Sequence, residues 1–243
     1  MLQSRSERFK TGTTLLVIMA LLLGLGAGCA HKPEQEKTAR ELAKEGMAEF
    51  KKEHYRKAVE AFERLQDWYP FSRYAILADL KIADAYFEMK EYDSAVTAYE
   101  AFERLHPRNE ALPFVIYRIG LCHFNRLDTI DRDQTPAKSA IEAFTRLRRQ
   151  FPDSEYAAKA EAHIDRCRRS LAAHHLYVGK FYFKSEHFQA ARDRFRQVIS
   201  QYPDVGDVQT AEDYLRRCEE ALAEAAAEEK QQKRNSTAPA EDK

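Results

Sequence analysis

The sequence predicts an all-α solenoid of antiparallel helix pairs, about four to five repeats long. Two observations carry this. Helix breakers are scarce, with 8 Gly and 8 Pro in 243 residues, which favours long helices joined by short turns. One spacing, Ala-x3-aromatic-x7-Pro, also returns four times along the chain. Self-similarity at intervals of this size marks stacked supersecondary units.

Residues 1–28 read as an export signal. Arg5, Arg8 and Lys10 form a basic start, and residues 11–30 carry no charge. Leu15 to Leu25 is nearly continuous hydrocarbon, and the small residues Gly26, Ala27 and Gly28 precede Cys29. These are the parts a secretory signal needs. A cysteine directly after the small residues resembles a bacterial lipobox, although Gly26 stands where many lipoboxes carry Leu. The resemblance implies cleavage after Gly28 and acylation of Cys29, and several acyl chains on one residue give a stable anchor. The alternative is an uncleaved spanning helix, for which about 20 uncharged residues just suffice. Gly24, Gly26 and Gly28 make its end a poor helix. Ala30, in place of Asp, implies by resemblance to sorting signals the periplasmic face of the outer membrane. Residues 29–37 are then a lipidated tether.

The repeat array is expected over residues 38–231. The four matches are Ala58/Phe62/Pro70, Ala95/Tyr99/Pro107, Ala140/Phe144/Pro152 and Ala191/Phe195/Pro203. Twelve residues before Ala58, Ala95 and Ala191 stand Gly46, Ala83 and Gly179. Three before them stand Tyr55, Tyr92 and Phe188. A small residue on one helix and Ala on the next let the two cross closely. The aromatic four residues on lies on the same face and fills space against the next repeat. Proline stops the second helix, because it lacks an N–H and clashes with the preceding turn. This is the tetratricopeptide pattern. It places repeats near 39–72, 76–109, 113–154 and 172–205.

Two places break the rhythm. Gly120 to Ala140 is 20 residues instead of 12, an insertion around Leu127–Pro136. Pro152 to Gly179 is 27 residues where other junctions take 13. That stretch reads as one long helix to Lys184, capped by Ser154 with Glu155 in its first turn. A terminal helix over 208–231 is either half of a fifth repeat or the cap a solenoid needs. The polar tail 232–243 is expected to be disordered.

Three stretches sharpen the resemblance. Trp68-Tyr69-Pro70-Phe71-Ser72-Arg73-Tyr74-Ala75 closes the first repeat, Asp131-Arg132-Asp133-Gln134 lies in the insertion, and Leu176-Tyr177-Val178 with Tyr182-Phe183 lies in the long helix. Each is similar to a stretch of the BamD family, outer-membrane lipoproteins of the β-barrel assembly (BAM) machinery. The likeness covers about residues 29–210. It implies a scaffold that binds the POTRA domains of a BamA-like barrel protein through its C-terminal repeats. Unfolded outer-membrane proteins are the implied substrates of the N-terminal repeats, and other BAM lipoproteins are possible partners. The missing second helix of a fifth repeat is a departure from the family.

Arrays of this kind bind through the face of their first helices. Counted from the small residue, the candidate groove positions are Phe50 and Lys51, Phe87 and Glu88, Tyr117, Phe124 and Asn125, and Lys180, Phe183 and Lys184. Phe50, Phe87, Phe124 and Phe183 form a row that could hold apolar residues of an extended peptide. The alternative is that each packs against its neighbouring helix. In the insertion, Asp131, Arg132 and Asp133 are candidates for a partner contact. Asp131, Asp133, Thr135 and Glu142 echo a calcium loop, but Pro136 stands where such a loop needs Gly. His163 and Cys167 have ligand spacing without a third ligand. No metal, cofactor or catalytic residue is therefore assigned. No phosphate loop or nucleophile elbow is present. Formal net charge is zero, which gives no electrostatic grip on nucleic acid. Beyond Cys29, the odd set Cys122, Cys167 and Cys218 is no disulfide framework and is expected to pack between helices.

Overall fold

The computed structural model describes residues 37–237, so Cys29 and the signal lie outside the described residues. From Ala39 onward the chain forms one compact unit. It holds nine helices among the described residues: α1 (Ala39–Lys51), α2 (Tyr55–Trp68), α3 (Arg73–Glu88), α4 (Tyr92–Leu105), α5 (Leu112–Phe124), α6 (Thr135–Gln150), α7 (Glu155–Lys184), α8 (Phe188–Gln201) and α9 (Val208–Thr237). Each packs on the next in sequence. The odd-numbered helices also touch one another, α1 with α3, α5 with α7 and α7 with α9. They line one face of the array, and α2, α4, α6 and α8 the other.

Local chemistry sets each helix end. Tyr69, His106, Phe151 and Tyr202 each follow a second helix and precede a proline. All four leave the α region, with φ between −125° and −137°, as the proline ring behind them requires. A capping side chain then starts the next helix. Ser72 Oγ accepts from Tyr74 N and Ser154 Oγ from Tyr156 N, both at 3.2 Å. Asn109 and Asp207 do the same for Ala111 N and Thr210 N. This proline stop followed by a cap occupies the extra residues between repeats. Within repeats the turn is a left-handed residue at Glu53, Lys90 and Glu186, φ 59–61°. In each case the next N–H reaches back over the turn, as from His54 N to Glu49 O.

The core is one contact repeated. A Cβ placed on Gly46 would stand 2.6 Å from Phe62 Cε1, and one on Gly179 2.7 Å from Phe195 Cε1. Gly120 and Phe144 are closer still. The ring therefore occupies the space over the glycine of its own repeat. It also fills space against the next repeat, as expected: Phe62 shares a cluster with Ala75, Ala78 and Ile82 of α3. Ala58, Ala95, Ala140 and Ala191 are fully buried at the crossings. Cys122, Cys167 and Cys218 are free and buried, and burial pushes the Cys122 thiol up to about 12.

The stretch read as one long helix is one: α7 runs 30 residues from its Ser154 cap. A second difference concerns the C-terminus. Helix α9 continues to Thr237, so residues 232–237, expected to be disordered tail, are helical.

Gly120→Ala should force its Cβ into the Phe144 ring, and Ala95→Leu should overpack the crossing of α3 and α4. Each should cost about 1–3 kcal/mol, measured by urea unfolding. A parental midpoint for either would show that the crossings are misplaced.

Candidate functional site

The four groove phenylalanines lie on the face of the first helices, but they are not bare. Each is half-buried, with an aromatic at its edge and a cation over it. Phe50 meets Tyr55 edge-on at 5.2 Å between centroids, and Lys81 Nζ stands 5.2 Å over its ring. Phe87 meets Tyr92 at 5.6 Å, and the Arg118 guanidinium lies 3.5 Å above it. Phe124 meets His163 at 4.5 Å under Arg166 at 5.2 Å. Phe183 meets Phe188 and Tyr214 under Arg217 at 4.6 Å. The cation always comes from the following odd-numbered helix. This row of cation–π contacts ties successive repeats together and makes the face alternately aromatic and basic.

The sequence reading missed these four cations. The available signal was Lys81 and Arg118, each two residues before the small residue of its helix.

A buried polar network sits beneath Phe87. Asp84 is 5 % exposed. Its carboxylate accepts from Tyr99 Oη at 2.6 Å and from Lys81 Nζ at 2.7 Å. Arg118 Nε donates to Tyr99 Oη at 2.8 Å, and its Nη2 to Glu88 at 2.9 Å. Burial, then the Asp84 charge, raises the Tyr99 pKa far above its usual value, so Tyr99 is a fixed donor. Glu88 thus serves Arg118 within the chain.

Tyr117 packs among Phe144, Tyr156 and His163, and its hydroxyl shares a hydrogen bond with His163 Nε2 at 3.1 Å. His163 stacks on Phe144 at 5.3 Å, so His163 and Cys167 belong to packing. Lys51, Asn125, Lys180 and Lys184 are exposed. Among the described residues no group of three or more His, Cys, Asp or Glu is placed to hold a metal.

The insertion is a built loop. Buried Gln134 donates from Nε2 to Thr129 O and Arg132 O, both at 3.1 Å, and its Oε1 accepts from Ser170 Oγ of α7. His174 Nδ1 donates to Ile130 O at 2.6 Å. Asp133 Oδ1 accepts from Thr135 N and Oγ1. Hydrogen bonds from Thr129 and Thr135 hold the Asp131 and Asp133 carboxyls below their ordinary range. These two acids therefore help shape the loop, and all three of Asp131, Arg132 and Asp133 are exposed on it.

A second surface lies at the junction of the first two repeats. Phe71 is wholly exposed and Leu105 is 63 % exposed. With Pro70, Ile76, Asp79 and His106 they line a groove of about 590 Å³.

Comparison with known proteins adds the family. A family model described as "Outer membrane lipoprotein", YfiO, matches residues 35–234. The outer membrane protein assembly factor BamD of Neisseria gonorrhoeae is 31% identical over 205 residues, covering 76% of this chain and 77% of that protein. The protein of the same name from Vibrio cholerae is 29% identical, covering 76% and 81%. Among solved structures, a thermophilic TPR protein of Thermus thermophilus is similar at 15% identity and a TM-score of 0.42, over 76% of this chain and all of that one.

Two outcomes test this chemistry. Arg118→Met strips one cation from the Asp84 network and should destabilise by about 3 kcal/mol, the low end of the scale for breaking a buried charge pair, since Lys81 still holds Asp84. Urea unfolding at the parental midpoint would show that the network carries no such load. The second concerns pH. Burial, then the nearby Arg194 charge, lowers the His175 pKa to about 4, and burial first lowers His123 and His163. In the unfolded chain a histidine protonates near the ordinary value of about 6.5. The unfolded state therefore binds more protons in that window, and stability falls as pH drops from about 7 towards about 4. Thermal melts should show that fall, and His175→Gln should flatten it; a melting temperature constant over the window would contradict the lowered values.

Proposed function

The chain belongs to the YfiO family of outer membrane lipoproteins, the family of the assembly factor BamD, and on that premise we propose that it is a lipid-anchored scaffold of the outer-membrane β-barrel assembly complex. It faces the periplasm and works by binding rather than by catalysis. Its C-terminal repeats hold the POTRA domains of a BamA-like barrel protein, with other lipoproteins of the complex as further partners. Its N-terminal repeats engage unfolded outer-membrane proteins. The single observation that carries this is the family match over residues 35–234, which takes in nearly the whole helical array.

Several features support it. No described helix is long and apolar enough to cross a membrane; in this reading attachment is by acylated Cys29, which lies outside the described residues. The polar groups Asp84, Tyr99 and Arg118 are engaged with one another, as suits a scaffold. Exposed Phe71 and Leu105 suit an apolar stretch of unfolded chain, and the exposed Asp131, Arg132 and Asp133 suit a folded partner.

Affinity purification of the C-terminally tagged full-length protein from mild-detergent membranes should recover a POTRA-containing barrel protein in near-equal amount. A secretin or a division protein in its place would overturn the assembly reading. Cys29→Ser should abolish acyl labelling and release the protein from membranes, and firm attachment of that variant would point to a spanning helix.

A further inference from the structure

Many basic side chains of the array are paired with carboxylates inside it, as in Arg56–Glu91, Arg64–Glu45, Arg146–Glu103, Arg168–Asp204 and Arg196–Glu219. One stripe of α7 differs. Arg166, Arg169, Ala173, Tyr177, Lys180 and Lys184 recur at three- and four-residue steps, which puts them in line along the helix. The line is about 27 Å long at the helical rise. It holds four cations and no acid.

All four cations are exposed, and none makes an ion pair among the described residues. Arg166 rests over Phe124 and Lys180 lies 5.6 Å from the Tyr214 ring. An aromatic face steadies a cation without neutralising it. Asp165 and Glu186 lie beside the stripe rather than in it. Asp207, close enough to Lys180 to feel its charge, already accepts from Thr210 N. Tyr177 is 47 % exposed in mid-stripe, and Phe181, 61 % exposed, lies beside it. The pattern is two cation pairs about 16 Å apart with aromatic surface between them.

We propose that this stripe docks an acidic, extended segment of a partner polypeptide, with carboxylates on Arg166, Arg169, Lys180 and Lys184 and apolar side chains on Tyr177 and Phe181. Charge complementarity sets the sign of the ligand, since uncompensated cations in a row favour a matching row of anions. Shape sets its class. The stripe is single-file and shares the side of the Phe124 contact, where α5 and α9 flank α7. A flat bilayer does not follow such a line, whereas about eight residues of extended chain span it. The inference needs only the stripe and does not depend on the assembly reading.

The test uses full-length protein in mild detergent and a fluorescent peptide of about ten residues, with Glu at both ends and Val and Tyr in the middle. A second peptide carries Lys in place of Glu. Anisotropy should show binding of the acidic peptide alone, weakened several-fold as salt rises from low to physiological strength. The combined Arg166→Glu, Arg169→Glu, Lys180→Glu and Lys184→Glu variant should lose at least about ten-fold in affinity. Arg104→Glu with Arg108→Glu, exposed elsewhere, should bind like the parent. Should the fourfold variant fail to fold, Lys180→Gln with Lys184→Gln must still weaken binding. Equal binding of the Lys peptide, or binding indifferent to these changes, overturns the proposal. So does sedimentation with phosphatidylglycerol vesicles through the same four residues without peptide binding, which would make the stripe a lipid site.

Discussion

The array depends on an aromatic ring lying where a first helix has no side chain. Phe62 over Gly46, Phe144 over Gly120 and Phe195 over Gly179 each fix how closely two helices approach. Phe62 also belongs to the cluster that α3 completes. Pairing and stacking are therefore one packing problem, and a unit alone would expose the apolar face its neighbour covers. The second repeat varies the theme, with Ala83 and Tyr99 in place of Gly and Phe. A fully buried tyrosine brings a hydroxyl that needs a partner. Asp84 and Arg118 supply it, and the one extensive buried charge network among the described residues stands where the ring carries that hydroxyl.

The cation row adds a second tie between repeats. Lys81, Arg118, Arg166 and Arg217 each cover a phenylalanine of the preceding first helix. Their carboxylates differ. Lys81 is held by Asp84, Arg118 by Glu88, and Arg217 is 3.9 Å from Asp213. Arg166 has an aromatic face and no acid. The groove is thus internally neutralised along α3 and α5 and becomes basic along α7.

Much of the fold was legible because its determinants are local. Proline stops, capping side chains and the Ala-aromatic spacing all act within one turn or one helix pair, so counting residues was enough to find the pairs and the long α7. What escaped depends on partners far along the chain. The groove phenylalanines read either as an open row or as packing, undecided because the cations over them lie 31 or more residues away. In the insertion the contacts that escaped are Gln134 with Ser170 and His174 with Ile130, 36 and 44 residues apart, while Asp131 and Asp133 also hold their own turns. The tail misled for another reason. Its polar composition suggests disorder, yet Glu, Lys, Gln and Arg are good helix formers, and Lys233 pairs with Glu229 one turn back.

Helix α7 shows how a missing turn creates a surface. In its first half Ala157, Ala160, Ile164, Cys167 and Leu171 face the core with α6. In its second half Ala172 and Gly179 are the buried residues, with Gly179 under Phe195 of α8. Between Leu171 and Ala172 the buried side steps round by one residue, about 100°, because the helix changes partners without ending. A pair of ordinary helices would have broken here with a turn and a second helix. Continuity keeps the remaining outward stripe in one line across both halves, from Arg166 to Lys184. The loss of one helix–helix turn is thus the physical origin of a straight, unpaired basic row on an otherwise charge-balanced protein.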